Sequence, residues 1–136
     1  CYHFHIIFTD GACTNNGRSG ARPRVGIPYS DDISSQLSIP ITDTKDNFAL
    51  RSNQRAELCA AKIGLDLLAQ ARNNQPKSEA NAWIVATDSE YVVKGITEWY
   101  QHGRYRNNWR TSKDNKPTNL DLFLALDGAM TKHETA

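Results

Sequence analysis

The sequence predicts an α/β domain: a mixed sheet, made of an antiparallel three-strand meander plus a parallel strand, flanked by helices. Three observations predict it. Strand-like and helix-like runs follow the order strand-strand-strand-helix-strand-helix-helix, which implies layered α/β packing. Turn-forming residues, not helices, separate the first three runs, so those strands should pair as neighbours. A continuous apolar run, Ala82-Trp83-Ile84-Val85-Ala86, follows a long helix, as expected of a strand buried on both faces.

The first strand runs through His3-Phe4-His5-Ile6-Ile7-Phe8 and is expected to end at Asp10-Gly11, a breaker pair. Thr14-Asn15-Asn16-Gly17 carries turn chemistry, since Asn-Gly favours a hairpin. The second strand covers Arg24 to Tyr29, where Pro28 marks an edge strand or a bulge. A third runs from Leu37 to Ile41, and Asp43 to Leu50 is connection or further strand. A long helix follows. Ser52 or Asn53 caps it, Leu58, Ala61, Leu65 and Leu68 keep a helical period, and it ends near Asn73-Asn74, before Pro76. After the apolar strand, Ser89 caps a helix with Val92, Val93, Ile96 and Trp99 on its apolar stripe. Gln101 to Pro117 is polar, basic and aromatic, and is read as irregular or briefly helical. A last helix starts at Thr118 or Asn119 and carries Leu120, Phe123, Leu124 and Met130.

The 136 residues suffice for one domain with a core, and 39% hydrophobic with 23% charged residues fits a globular chain. No stretch of about 18 apolar residues exists, so no membrane span is expected. No secretory signal or transit peptide is visible. The first residue is Cys1, not Met, and the chain is expected to be a fragment or a trimmed or processed product. Cys1, Cys13 and Cys59 form an odd set without metal-ligand spacing. They suit a reducing, intracellular setting, with nucleus, mitochondrion and cytoplasm all open. Cys59 reads as a buried helical thiol, and Cys13 as loop packing. Charge is uneven. From Lys94 to Lys116, six basic residues face two acidic ones, a net of +4, which leaves −3 for the rest of a chain whose total is +1. A basic patch beside an acidic site suits an enzyme acting on a polyanion, but the run taken alone is better explained as a solvated basic loop.

Three short acidic segments concentrate the chemistry: Thr9-Asp10-Gly11, Asn53-Gln54-Arg55-Ala56-Glu57 and Thr87-Asp88-Ser89. Singly, each has a plain structural explanation. Asp10 can serve an Asp-Gly turn, Glu57 can face the positive end of a helix dipole, and Asp88 can stand at a capping junction. Together they point elsewhere. Asp10 and Asp88 are placed at the C-terminal ends of strands, the edge where ligands collect in open α/β sheets, and Glu57 comes from the connecting helix. Converging carboxylates repel one another, but they make a good cage for hard divalent cations.

Thr9-Asp10-Gly11-Ala12-Cys13, Asn53-Gln54-Arg55-Ala56-Glu57-Leu58 and Ala86-Thr87-Asp88-Ser89 resemble the type I ribonuclease H family, in that order along the chain. Further likeness runs through Gly95 to Trp99 and Asn108 to Ser112, and the whole covers roughly Phe4 to Met130, looking closest to the eukaryotic branch. The resemblance implies one ribonuclease H-like catalytic domain over residues 1–136 and a metal-dependent endonuclease that hydrolyses the RNA strand of RNA–DNA hybrids. It makes Asp10, Glu57 and Asp88 catalytic metal ligands for two Mg²⁺ ions, with Mn²⁺ able to substitute. Two such ions about 4 Å apart could clamp a phosphodiester. It assigns minor-groove contacts to Cys13 (largely through backbone), Asn15, Asn16, Asn53, Gln54 and Glu90, where amides can both donate to and accept from a 2′-hydroxyl. Tyr91 and Trp99 match its aromatic channel for the DNA strand, although Trp99 reads equally well as core. Ser52 and Asn119 match two polar groups of its phosphate pocket. A third position, usually Arg, is Leu50 here, with Arg51 adjacent. Arg104, Arg106, Arg110 and Lys113 would form a basic handle on the hybrid backbone.

The family pattern then continues with a strand, a His-bearing loop and a helix carrying a fourth carboxylate, whereas six residues follow Met130 here. The domain is therefore expected to be incomplete at its C-terminus, and a weak enzyme as it stands. A partner segment would cover the open C-terminal edge, and the chain would be monomeric if complete. Asp121 and Asp127 read as the solvent face of the last helix. The alternatives are a catalytically impaired ribonuclease H-like module that binds nucleic acid or protein, and the ribonuclease H domain of a reverse transcriptase polyprotein.

Overall fold

The computed structural model describes residues 3–14, 22–28, 36–42, 52–73, 81–99, 113, 115–116 and 118–134. Strands β1 (His3–Thr14), β2 (Arg22–Pro28) and β3 (Gln36–Pro40) precede helix α1 (Asn53–Asn73). Strand β4 (Asn81–Thr87), helix α2 (Glu90–Lys94), a π-helical turn (Gly95–Trp99) and helix α3 (Leu120–Glu134) follow. The sheet order is β3-β2-β1-β4. β1 pairs antiparallel with β2, and β2 antiparallel with β3, while β1 and β4 run parallel. The fold is the mixed α/β arrangement that the sequence predicts.

β1 is longer than its composition suggests. It does not end at Asp10-Gly11 but runs on to Thr14. Its first half pairs with β4 from His3↔Asn81 to Thr9↔Thr87, and its second half pairs with β2 from Asp10↔Gly26 to Thr14↔Arg22. Gly11 is therefore a mid-strand glycine. Its purpose is close approach: a Cβ there would lie 2.3 Å from the backbone carbon of Ala56 at the start of α1. Cys13 is correspondingly a buried strand residue and not a loop one. The last described pair of this ladder is Thr14↔Arg22, and the Asn15-Asn16-Gly17 turn lies outside the described residues. β2 is interior to the sheet, with Pro28 as its last residue, and this corrects the edge-strand reading. A proline at a strand end removes no essential ladder bond. Tyr29 and the segment from Asp43 to Leu50 lie outside the described residues.

Alternation along β1 decides which face is covered. Ile7 and Thr9 are buried toward α1, and a Cβ on Gly64 would meet the Thr9 methyl at 2.5 Å. Ile6 and Phe8 point the other way and are 48% and 56% exposed, and Ile84, opposite Ile6, is 39% exposed. β4 is thus not buried on both faces among the described residues. Among the described residues it is the edge strand of the sheet, and α1 packs against one of its faces.

α1 starts where Ser52 Oγ accepts from the Arg55 N–H at 3.3 Å, and buries Ala56, Leu58, Cys59, Ala60, Ala61 and Leu68. Ser89 caps α2 by accepting from the Val92 N–H at 3.4 Å. Val92 is buried, but Val93 is exposed, and the chain then widens into the π-helical turn. There the Thr97 hydroxyl donates to the Val93 carbonyl at 2.7 Å. α3 buries Leu122, Phe123 and Leu126, while Leu124 is exposed. No helix among the described residues is long and apolar enough to cross a membrane.

Candidate active site

Three carboxylates meet where β1, α1 and β4 converge. Asp10 stands at the handover of β1 from β4 to β2, Glu57 in the second turn of α1, and Asp88 directly after β4. One oxygen from each lies within 4.8 Å of the others. The local structure explains the convergence. Side-chain-free Gly11 lets α1 sit against β1, and its N–H donates to Glu57 Oε2 at 3.2 Å. The Asp88 end is held by the Ser89 N–H donating to Thr87 Oγ1 at 3.1 Å. Asp10 and Asp88 are exposed and Glu57 is half-buried.

Burial raises the Glu57 carboxyl above its ordinary range. The Gly11 N–H partly opposes this, and the charges of Asp10 and Asp88 raise it further. The folded protein thus holds this proton more tightly than the unfolded chain does. Without metal, stability should fall as pH climbs above the ordinary value of 4.5 and through the raised one. Melting curves in EDTA should show Glu57→Gln gaining on the parent as pH rises through that window. A difference independent of pH would contradict it. Three oxygen donors of one sign are chemically suited to a hard divalent cation, which would neutralise their repulsion.

Around this cluster the structure brings some predicted residues together. Asn53 Oδ1 accepts from the Cys13 N–H at 2.7 Å, so its side chain fastens α1 to β1, beside the capping contact of Ser52. Gln54 is exposed in the first turn of α1. Glu90 is exposed and pairs with Lys94 at 2.6 Å on its own helix. Tyr91 Oη accepts from Asn119 Nδ2 at 3.1 Å, and its ring lies 5.6 Å from that of Phe123 at 52°. Trp99 closes the π-helical turn, and Lys113 is exposed. Asn15, Asn16, Arg51, Arg104, Arg106 and Arg110 lie outside the described residues.

Sequence reasoning missed one connection. Arg55, only 2% exposed, reaches α3 and ion-pairs with Asp121 at 2.8 Å. Asp121 is therefore not merely solvent-facing, and the guanidinium beside it holds its carboxyl below the ordinary range. A signal was available. The apolar stripe through Leu58, Ala61 and Leu65, continued back by three residues, lands on Arg55.

The RNase H family model matches residues 3–136. The chain belongs to the RNase H family. It is 33% identical over 122 residues to the Ribonuclease H1 of Mus musculus, a match covering 90% of this chain and 38% of that protein. It is also 33% identical over 129 residues to the Ribonuclease H of Caulobacter sp. strain K31, covering 95% of this chain and 71% of the relative. The chain thus spans less than half the length of the mouse relative. A crystal structure of LC11-RNase H1 in complex with an RNA/DNA hybrid superposes with a TM-score of 0.56 at 20% identity, covering 93% of this chain and 76% of that one. This likeness carries the RNase H fold. The family assignment rests on the sequence matches.

Proposed function

We propose that this RNase H domain is an endonuclease that hydrolyses the RNA strand of RNA–DNA hybrids in a metal-dependent reaction. The carboxylate cluster carries the proposal, because nucleic-acid binding alone gains nothing from three like charges facing a polyanion. Family membership and the hybrid-bound LC11 neighbour support the substrate. Asp10, Glu57 and Asp88 would hold two Mg²⁺ ions, or Mn²⁺ in their place. Such ions, when bound, activate the attacking water and stabilise the leaving 3′ oxygen.

The remaining residues bind and orient. The Cys13–Asn53 hydrogen bond fixes the Asn53 amide in one orientation beside the carboxylates, and Gln54 stands next to it. These groups, with Cys13, Asn15, Asn16 and Glu90, read the 2′-hydroxyls that only RNA offers. Tyr91 and Trp99 take the DNA strand. Ser52 and Asn119 contact its phosphate, and Arg104, Arg106 and Arg110 hold the backbone further along. The exposed Ile6, Phe8 and Ile84 support a further segment packing over that face of β1 and β4, and with that segment in place the protein would act as a monomer.

The test is binding and cleavage of matched hybrid, duplex DNA and duplex RNA at one salt concentration, since salt alone shifts such affinities greatly. The hybrid should bind tightest and lose only its RNA strand, and only with metal present. Equal affinity for all three duplexes would remove hybrid recognition and leave generic polyanion binding.

A further inference from the structure

Arg55 and Glu57 share one helix but serve opposite sides of it. Two residues apart on an α-helix means roughly 200° of rotation. Glu57 faces Gly11 of β1, and Arg55 faces the start of α3. The guanidinium forms a fork. Nη1 donates to Asn119 Oδ1 at 3.1 Å and to Asp121 Oδ1 at 3.0 Å, and Nη2 donates to Asp121 Oδ2 at 2.8 Å. The amide of Asn119 passes the constraint on, since its Nδ2 donates to Tyr91 Oη at 3.1 Å. The backbone N–H of Arg55 also donates to Ser52 Oγ. One residue therefore ties together α1, α3 and α2 through Ser52, Asn119 and Tyr91.

Stability alone is a weak reason for this arrangement. Arg55 is buried while its carboxylate partner Asp121 is 55% exposed, so water screens the attraction and the guanidinium still loses its hydration. An apolar side chain would fill the same space. It could not hold the amide of Asn119. That residue sits at φ 62, in the left-handed region, and its carbonyl accepts from the N–H groups of Leu122 and Phe123 to start α3. Asparagine tolerates this backbone conformation, and such conformations persist where several contacts determine them at once.

We infer that Arg55 is a positioning residue: its guanidinium fork sets the Asn119 amide and, through it, the Tyr91 hydroxyl, holding the nucleic-acid-facing pair in register independently of the carboxylate cluster. This rests on the proposed contact of Tyr91 and Asn119 with nucleic acid.

A double-mutant cycle tests it. Arg55→Gln, Tyr91→Phe and the double variant of the full chain are compared in EDTA for affinity to fluorescent hybrid and to duplex DNA. Mn²⁺ affinity by calorimetry and a thermal melt accompany each variant. Arg55→Gln should weaken duplex binding about tenfold, as expected for losing charge-assisted hydrogen bonds. Tyr91→Phe should weaken the parent about threefold and leave Arg55→Gln unchanged, since an uncoupled hydroxyl has little left to lose. Mn²⁺ affinity should stay within about twofold of the parent, because Glu57 keeps its own partner on the other side of the helix. Arg55→Lys should not rescue, because an ammonium cannot form the fork. If the Arg55 variants melt below the assay temperature, Asp121→Asn takes their place in the cycle, and its loss should likewise shrink beside Tyr91→Phe. Additive losses, a parallel loss of Mn²⁺ affinity, or full rescue by lysine would overturn the inference. A parent that shows no hybrid preference defeats the functional proposal instead, and the cycle read on duplex DNA still decides the role of Arg55.

Discussion

Asp10→Asn should lower hybrid cleavage by on the order of a thousandfold or more, while the protein keeps its fold. The substitution preserves shape and one acceptor oxygen but removes a charge from a three-carboxylate cluster whose oxygens lie within 4.8 Å of one another. A hard cation held by three carboxylates loses a third of the charge that holds it. Stability should not suffer. Asp10 is exposed, and its charge pushes the Glu57 carboxyl up, so its removal relieves repulsion in the metal-free protein. Single-turnover cleavage at saturating enzyme measures the loss, and a melt in EDTA checks the fold. Calorimetric Mn²⁺ titration should show weakened binding. Cleavage within about tenfold of the parent, with Mn²⁺ binding intact, would place the reaction elsewhere.

Gly11→Ala should damage stability and activity together. The added methyl would sit 2.3 Å from the Ala56 carbon and 2.4 Å from the Glu57 nitrogen, and both are backbone atoms that no rotamer change can move. Forcing one methyl into a packed contact costs about 1–3 kcal/mol, and here the start of α1 must shift to accept it. That shift carries Glu57 away from Asp10 and breaks the hydrogen bond from the Gly11 N–H. A thermal melt should show the loss of stability. Mn²⁺ titration should show weaker binding even at temperatures where the variant is fully folded, because displacement of about 1 Å matters greatly at a reacting site. Normal Mn²⁺ affinity in a folded Gly11→Ala variant would mean that the close approach is not what positions Glu57.

Much of the fold was legible because periodicity survives in the sequence wherever one face meets water. Leu58, Ala61 and Leu68 are buried along α1 as their spacing indicates, and Ser52 and Ser89 cap the helices that follow them. The reading faltered where local chemistry permits two outcomes. Asp10-Gly11 resembles a turn, but pairing with β2 keeps it extended, and glycine is there for the nearness of α1. An apolar strand such as Ala82 to Ala86 has no alternation to show which face is covered, and Ile84 is exposed, like Ile6 and Phe8 of the neighbouring interior strand, because no described element covers that face of the sheet. Val93 and Leu124 fit apolar stripes by spacing, yet a helix buries only the arc that a neighbour covers.

The sequence by itself determined the inventory: which elements form, in what order, and that three carboxylates stand in segments able to meet. These follow from local propensity, capping and the family likeness of the three motifs, none of which needs long-range contacts. Tertiary structure alone decided the distances and the partners. Asp10, Glu57 and Asp88 converge because β4 lies parallel to β1 and α1 presses on Gly11. The raised Glu57 carboxyl follows from that crowding and burial. Arg55 is buried because α3 brings Asn119 and Asp121 across 64 and 66 residues of chain. A side chain's charge is written in its residue type, but its solvation and its neighbours are set by whichever distant segments pack against it.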